Sequence, residues 1–212
     1  MPIKSILFNK QISTEMVRAI LEGRKSCTRR IVKPQQLIGM LPDKCKNGAP
    51  EKFLKEKKLM FKPYCDMTDI ELINTAYKAP YQPGDILYVR ETWKKAPNGY
   101  YYYEDWQRND IADVTKWKPS IRMPKEAARI WLKVTDVRVE RLQEISAESA
   151  LAEGADKYIH TNGGLDENMT ITSFIGIWNS TIKKSDIDRY GWDANPWVWV
   201  IEFERCEKPG GV

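Results

Sequence analysis

The eight residues Gly23-Arg24-Lys25-Ser26-Cys27-Thr28-Arg29-Arg30 concentrate more chemistry than any other stretch of this chain. They bring four cations, two hydroxyls and one thiol together with no acid. Cations beside a hydroxyl or thiol are the ingredients of an activated nucleophile, and four cations around Cys27 predict a thiolate favoured over the thiol. The same residues also fit a solvated basic turn, because the C-terminus of a helix attracts Lys and Arg through its dipole.

A helix must end just before this turn. Met16, Val17, Ile20 and Leu21 recur at helical spacing; Ser13 or Thr14 suits the N-cap, Glu15 the first turn and Gly23 the left-handed position that stops a helix. Around it the chain reads as short strands with a few helices. Strands are expected over residues 3–8, 86–93, 100–103, 129–140 and 197–203, the fourth broken by a bulge between Val134 and Val137. Gln82-Pro83-Gly84-Asp85 is a turn leading into the second. Ser146 is expected to cap a short helix reaching Glu153, stapled by Ile145 on Ala150, and Phe174, Ile177, Trp178 and Ile182 mark another helix. Five prolines between Pro34 and Pro80 predict an irregular insertion at about 34–80 within one domain spanning 1–212. With strands outnumbering helices and no βαβ rhythm, the expected class is α+β: a small, partly closed mixed β-barrel with flanking helices.

Charge placement says more than the net charge of +5. Residues 24–33 hold five cations and no acid, and residues 44–62 hold seven lysines against Glu51 and Glu56. This basic zone beside an otherwise mildly acidic chain is the footprint of a polyanion binder, with Lys55, Lys57 and Lys58 as backbone contacts, or else a lysine-rich loop held in solution by charge. Eight Trp and ten Tyr supply stacking surfaces; Trp93, Tyr101, Tyr103 and Trp106 suit bases, although Trp93 in mid-strand suits a core equally well. Cys27, Cys45, Cys65 and Cys206 are scattered without a C-x-x-C pair, so neither disulfides nor a zinc ribbon are indicated, and Cys45, Cys65, Cys206 and His160 have no regular ligand spacing. Metal and cofactor are expected to be none. No run is long and apolar enough for a membrane span, and Met1-Pro2-Ile3-Lys4 predicts no signal peptide, so a cytoplasmic protein is expected. Phosphate loops, G-x-S-x-G and H-E-x-x-H are absent.

In order, the chain carries Gly23-Arg24-Lys25-Ser26-x-Thr28-Arg29-Arg30, Pro83-Gly84-Asp85-x-Leu87-x-Val89-Arg90-Glu91-Thr92-Trp93, Ile145-Ser146-x-Glu148-x-Ala150-x-x-Glu153-Gly154 and a last strand entered through Trp192-Asp193-Ala194-Asn195-Pro196-Trp197. This series resembles the ASCH-domain proteins of the PUA-like superfamily, especially the longer phage and prophage members. The resemblance implies a PUA-like β-barrel with a cleft, association with RNA, and kinship to amidohydrolases that deacylate N4-acetylcytidine. Their Lys, Thr and Glu fall on Lys25, Thr28 and Glu153. Arg24, Ser26, Arg29, Arg30, Glu91 and Trp93 are the neighbouring candidates for substrate or nucleic-acid contact.

Two assignments of that trio are open. The favoured one makes Thr28 the nucleophile and Lys25 its base, with Glu153 orienting the pair or protonating the leaving amine, though a lysine serves so only when neutral and a nearby carboxylate opposes that state. Alternatively Glu153 is the base for water and Lys25 stabilises the oxyanion. The resemblance thus implies a metal-independent amidohydrolase acting on a nucleoside or on single-stranded nucleic acid. A different class is a non-catalytic RNA, DNA or modified-base binder, in which Lys25 meets phosphate, Thr28 caps backbone and Glu153 pairs with Arg24 or Arg29. A third is a phage protein that blocks a host factor.

Overall fold

The computed structural model describes residues 2–8, 13–33, 68–107, 116–155 and 166–210. Its main sheet has five strands, β1 (Ile3–Ile6), β2 (Cys27–Ile31), β3 (Ile86–Val89), β6 (Trp131–Arg141) and β7 (Trp197–Cys206), in the order β1-β3-β6-β7-β2. Only β1 and β3 run parallel; the other ladders are antiparallel. Strands β4 (Trp93–Ala96) and β5 (Gly99–Tyr102) form a separate hairpin. The expected bulge is there, as a register shift between Val134 and Asp136.

Strand β7 explains the layering. Trp197 to Ile201 are all buried, which demands cover on both faces, since successive side chains alternate. Trp197, Trp199, Ile201 and Phe203 pack with Ile6, Leu87, Val89 and with Met16, Val17 and Ile20 of helix α1 (Ser13–Leu21). Val198 and Val200 pack instead against Ala150 of α4 (Ala147–Ala152) and Phe174 and Trp178 of α5 (Glu167–Thr181). Burying one such side chain stabilises by roughly 1.5–3 kcal/mol, so these two apolar faces, not surface ion pairs, hold α1 and α4 on opposite sides of the sheet. The remaining α-helices among the described residues are α2 (Asp69–Ala76), α3 (Tyr103–Gln107) and α6 (Ile187–Tyr190).

The α+β class with flanking helices holds. Strands β1 and β2 are the two edges and share no ladder, yet the Arg30 guanidinium on β2 donates to the carbonyl of Leu7 just past β1 at 2.8 Å. The two edge strands are therefore linked by a side chain rather than by a ladder.

Two local expectations are corrected. Part of the expected irregular stretch 34–80 is helical: α2 begins at Thr68, whose hydroxyl accepts from the Glu71 N–H while the Glu71 carboxylate accepts from the Thr68 N–H, a capping box. The flanking prolines leave room for two turns. Residues 34–67 lie outside the described residues. The strand expected over 86–93 is also split. The Arg90 N–H bonds to Ile6 and the Trp93 N–H to Lys118, and between them Glu91 turns inward to Arg129, Oε2 to Nη2 2.8 Å. A carboxylate 3 % exposed needs such a partner, and meeting it bends the chain between β3 and β4.

Helices α1 and α4 end alike. At α1 the Gly23 N–H bonds to Ile20 and the Arg24 N–H to Ala19; at α4 the Gly154 N–H bonds to Leu151 and the Ala155 N–H to Ala150. These are paired Schellman bonds around a left-handed glycine, Gly23 at φ +75 and Gly154 at φ +87. An alanine Cβ at Gly154 would stand 3.3 Å from Ala19 Cβ, whereas at Gly23 it would meet nothing within 4 Å. Gly23→Ala is expected to cost the backbone penalty alone, about 1–2 kcal/mol, and Gly154→Ala more. Denaturation midpoints check this; equal losses would mean that α1 and α4 yield freely at their contact.

Candidate active site

Each Schellman turn delivers one charged group to the same place. After Gly23 the chain enters β2, tied down by Ser26, whose N–H bonds to Ala152 of α4 and whose carbonyl accepts from Phe203 of β7. Glu153 is the C-cap of α4, a helix that starts at Ser146 as the sequence predicts, with the hydroxyl accepting from the Ser149 N–H. Lys25 and Glu153 then meet at Nζ to Oε2 2.8 Å, with the side chains only 1 % and 9 % exposed.

Lys25 Nζ also donates to the carbonyls of Cys27 at 2.7 Å and Glu153 at 2.8 Å. Three acceptors at these distances match the three donors of an ammonium. A neutral amine has one donor too few. The geometry therefore favours Lys25 as a charge donor over Lys25 as a base. Glu153 is gripped from the other side by Arg29, Nη1 to Oε1 3.3 Å, and Arg29 in turn by Glu140 at 3.2 Å and the Ser149 hydroxyl at 2.9 Å. Its Nε is buried and has no partner among the described residues.

Among the described residues strand β2 is paired on one side only. Since the Val32 N–H and the Ser26 carbonyl bond to β7, alternation turns the backbone of Cys27, Arg29 and Ile31 to the other edge, where the Cys27 carbonyl takes Lys25. A pocket of about 240 Å³ runs along this edge, which is why four consecutive β2 residues, Thr28 to Ile31, line it together with Lys25 and Glu153. Phe8 and Met16 form one wall and Phe174, Ile177, Trp178 and Thr181 of α5 the other. Thr28 is 3 % exposed, and its hydroxyl has no hydrogen bond among the described residues.

Cys27 corrects an expectation. Burial, and next the charge of Glu153, push its thiol from 9.0 up to about 12, against the lowering pull of Lys25 and Arg29. Counting nearby cations missed the desolvation that keeps the thiol protonated. A thiol reagent near neutral pH is expected to label half-buried Cys206 in the native protein and Cys27 only after unfolding; native labelling of Cys27 at the rate of Cys206 would contradict it. The linkage has a definite sign: the unfolded thiol ionises near 9.0 and the folded one near 12, so this contribution to stability is complete below 9.0 and is lost between those values as pH rises.

The other candidates scatter. Arg24 is on the surface with Glu22, Nη2 to Oε2 2.6 Å, and Ser26 is exposed. Glu91 and Trp93 do not line the pocket. Burial raises the Glu91 pKa against the opposing pull of Arg129, and Trp93 packs with Ile86, Met123 and Trp131, its core reading. Tyr101 and Tyr103 are half-buried, while Lys55, Lys57, Lys58, Cys45, Cys65, His160 and the Trp106 side chain lie outside the described residues. Cys27 and Cys206 are free thiols. Among the described residues no three His, Cys, Asp or Glu side chains cluster as a metal site would need, and no helix is long and apolar enough to cross a membrane. Sequence reasoning missed Glu140 and Ser149, which hold Arg29, and read Met16 only as core.

No protein-family model matches the chain, and no curated protein matches it. A solved structure to which it is similar is the ASCH domain from Lactobacillus crispatus JV V101, at 9 % identity over 96 % of this chain and 79 % of that one, with a TM-score of 0.43.

Proposed function

We propose that this pocket takes an N4-acylated cytosine base and hydrolyses its exocyclic amide. The observation that carries the reading is the company kept in one small cavity: Thr28, whose hydroxyl has no hydrogen bond among the described residues, lines the same walls as a buried ammonium–carboxylate pair, Lys25 and Glu153. The substrate class comes from the sequence resemblance to ASCH-type amidohydrolases. At about 240 Å³ the cavity falls below the ~300 Å³ at which ligand pockets usually begin, which suits one base with its sugar outside.

The chemistry follows from the donors. The substrate carbonyl takes one Nζ–H of Lys25, which then stabilises the oxyanion. That exchange releases Glu153 Oε2 from its own bond to Lys25 and leaves it a lone pair with which to accept a proton. Thr28 Oγ attacks the acyl carbon, its proton passes by way of Glu153 to the exocyclic nitrogen, and the C–N bond breaks to free cytidine. Water then splits the threonyl ester, restoring the hydroxyl and releasing the carboxylic acid. The base is thus Glu153 rather than Lys25.

A non-catalytic base binder is the second reading, favoured by one observation: both Glu153 oxygens are engaged, and Thr28 makes no hydrogen bond to either partner among the described residues. Incubation with N4-acetylcytidine and chromatography of the products separates the two. Release of cytidine and acetate, lost in Lys25→Ala, is expected; saturable binding without turnover would establish the binder.

A further inference from the structure

A second cleft, of about 540 Å³, adjoins the site pocket and shares Arg30 and Ile31 with it. Among the described residues Arg30, Lys33 and Lys78 line it with the rings of Tyr77 and Tyr81, and no acid does. Lys25 and Arg29 close by are neutralised by Glu153 and Glu140, but none of these three cations has an acid partner among the described residues. Arg30 is also held in place, by its bond to the Leu7 carbonyl at 2.8 Å and by Phe8, whose ring centroid lies 5.8 Å from its Cζ. Lys25 Nζ lies 5.5 Å from the same ring. One phenylalanine therefore separates the cation of the site from the cation of the cleft. Burial draws the Arg30 pKa below its usual value, with Tyr81 and Glu153 opposing, as for a charge withdrawn from water short of counter-charge. Cations without acid partners, one a fixed guanidinium fork, in a cleft that Tyr77 and Tyr81 also line, are the donor set for a phosphate next to a nucleoside.

We propose that this cleft is a phosphate subsite continuous with the site pocket, so that the ligand is an acylated cytidine carrying a phosphate on its ribose. The identity of the base rests on the amidohydrolase reading; the phosphate does not. The phosphate belongs either to a mononucleotide or to an RNA strand, and both present the same chemistry to Arg30, Lys33 and Lys78.

The test measures binding of N4-acetylcytidine, its 3′- and 5′-monophosphates and a short single strand containing it. It uses Thr28→Val protein, so that hydrolysis does not intervene, with and without Lys33→Glu and Lys78→Glu. Both lysines are exposed, so the reversals leave the core intact. A phosphate is expected to tighten binding about tenfold at low salt, and the ratio to fall to near one in the reversal variant. A gain shown by a monophosphate identifies a nucleotide ligand; a gain shown by the strand alone identifies a polymer; both support the subsite. Equal affinity for nucleoside and every phosphorylated form would overturn it, even for a protein that deacylates the nucleoside. A phosphate gain that survives the charge reversal would overturn its location. Conversely, wild-type protein without turnover but with the expected ratio would remove the amidohydrolase reading and leave the subsite standing.

Discussion

Glu153→Gln is expected to lower the unfolding free energy by about 3–5 kcal/mol, the usual result of stripping one partner from a buried ion pair. The change is small in shape but leaves Lys25 and Arg29 facing each other inside the protein with no carboxylate between them. Lys25→Met alone is also expected to destabilise, because the Cys27 and Glu153 carbonyls lose their donor. Together the two changes should cost less than their sum by at least about 1 kcal/mol, since the second removes a charge the first had orphaned. Urea denaturation of the four proteins measures that coupling, and burial makes it nearly independent of salt. Additivity within about 0.5 kcal/mol would show that the pair is solvated. The contrast is Arg138, more than a third exposed among Asp136, Glu140 and Glu202, where an exposed pair is worth at most about 1 kcal/mol.

The parts of this protein that are legible in its sequence are those decided locally. Gly23 ends α1 and Ser146 starts α4 because a left-handed turn and an N-cap each need one residue type at one place. The alternation at the start of β6 shows directly which side chains face inward, whereas β7 is apolar without alternation and is buried on both faces. The apolar spacing of α5 marks its C-terminal half, whereas its start at the Asp166 cap carries no such apolar signal. What escaped depends on partners far along the chain. Glu91 bends the backbone because Arg129 is 38 residues away; Arg29 is fixed by Glu140 and Ser149, 111 and 120 residues on. Cys27 shows the same limit within a site. Its cationic neighbours are plain in the sequence, but burial and Glu153, 126 positions away in number yet close in space, outweigh them. In the sequence only a family pattern links Lys25 with Glu153, since nothing local joins residues 128 apart.

Thr28→Val is expected to separate chemistry from folding. Valine keeps the shape of the side chain, and the hydroxyl it deletes has no hydrogen-bond partner among the described residues. Stability should therefore stay within about 0.5 kcal/mol of wild type. If Thr28 Oγ is the nucleophile, kcat on N4-acetylcytidine should fall at least about 10³-fold, as removal of an attacking group does, with KM little changed. Thr28→Ser, which keeps the oxygen, should retain most of the rate. A burst of cytidine ahead of acetate would mark the threonyl ester. Should Thr28→Val turn over like wild type, the attacking oxygen belongs to water and Glu153 acts on it directly, with Lys25 still at the oxyanion. Should no protein in the series turn over while all bind the base alike, the buried pair serves to shape a receptor. The Glu153→Gln experiment would then measure all that the pair does.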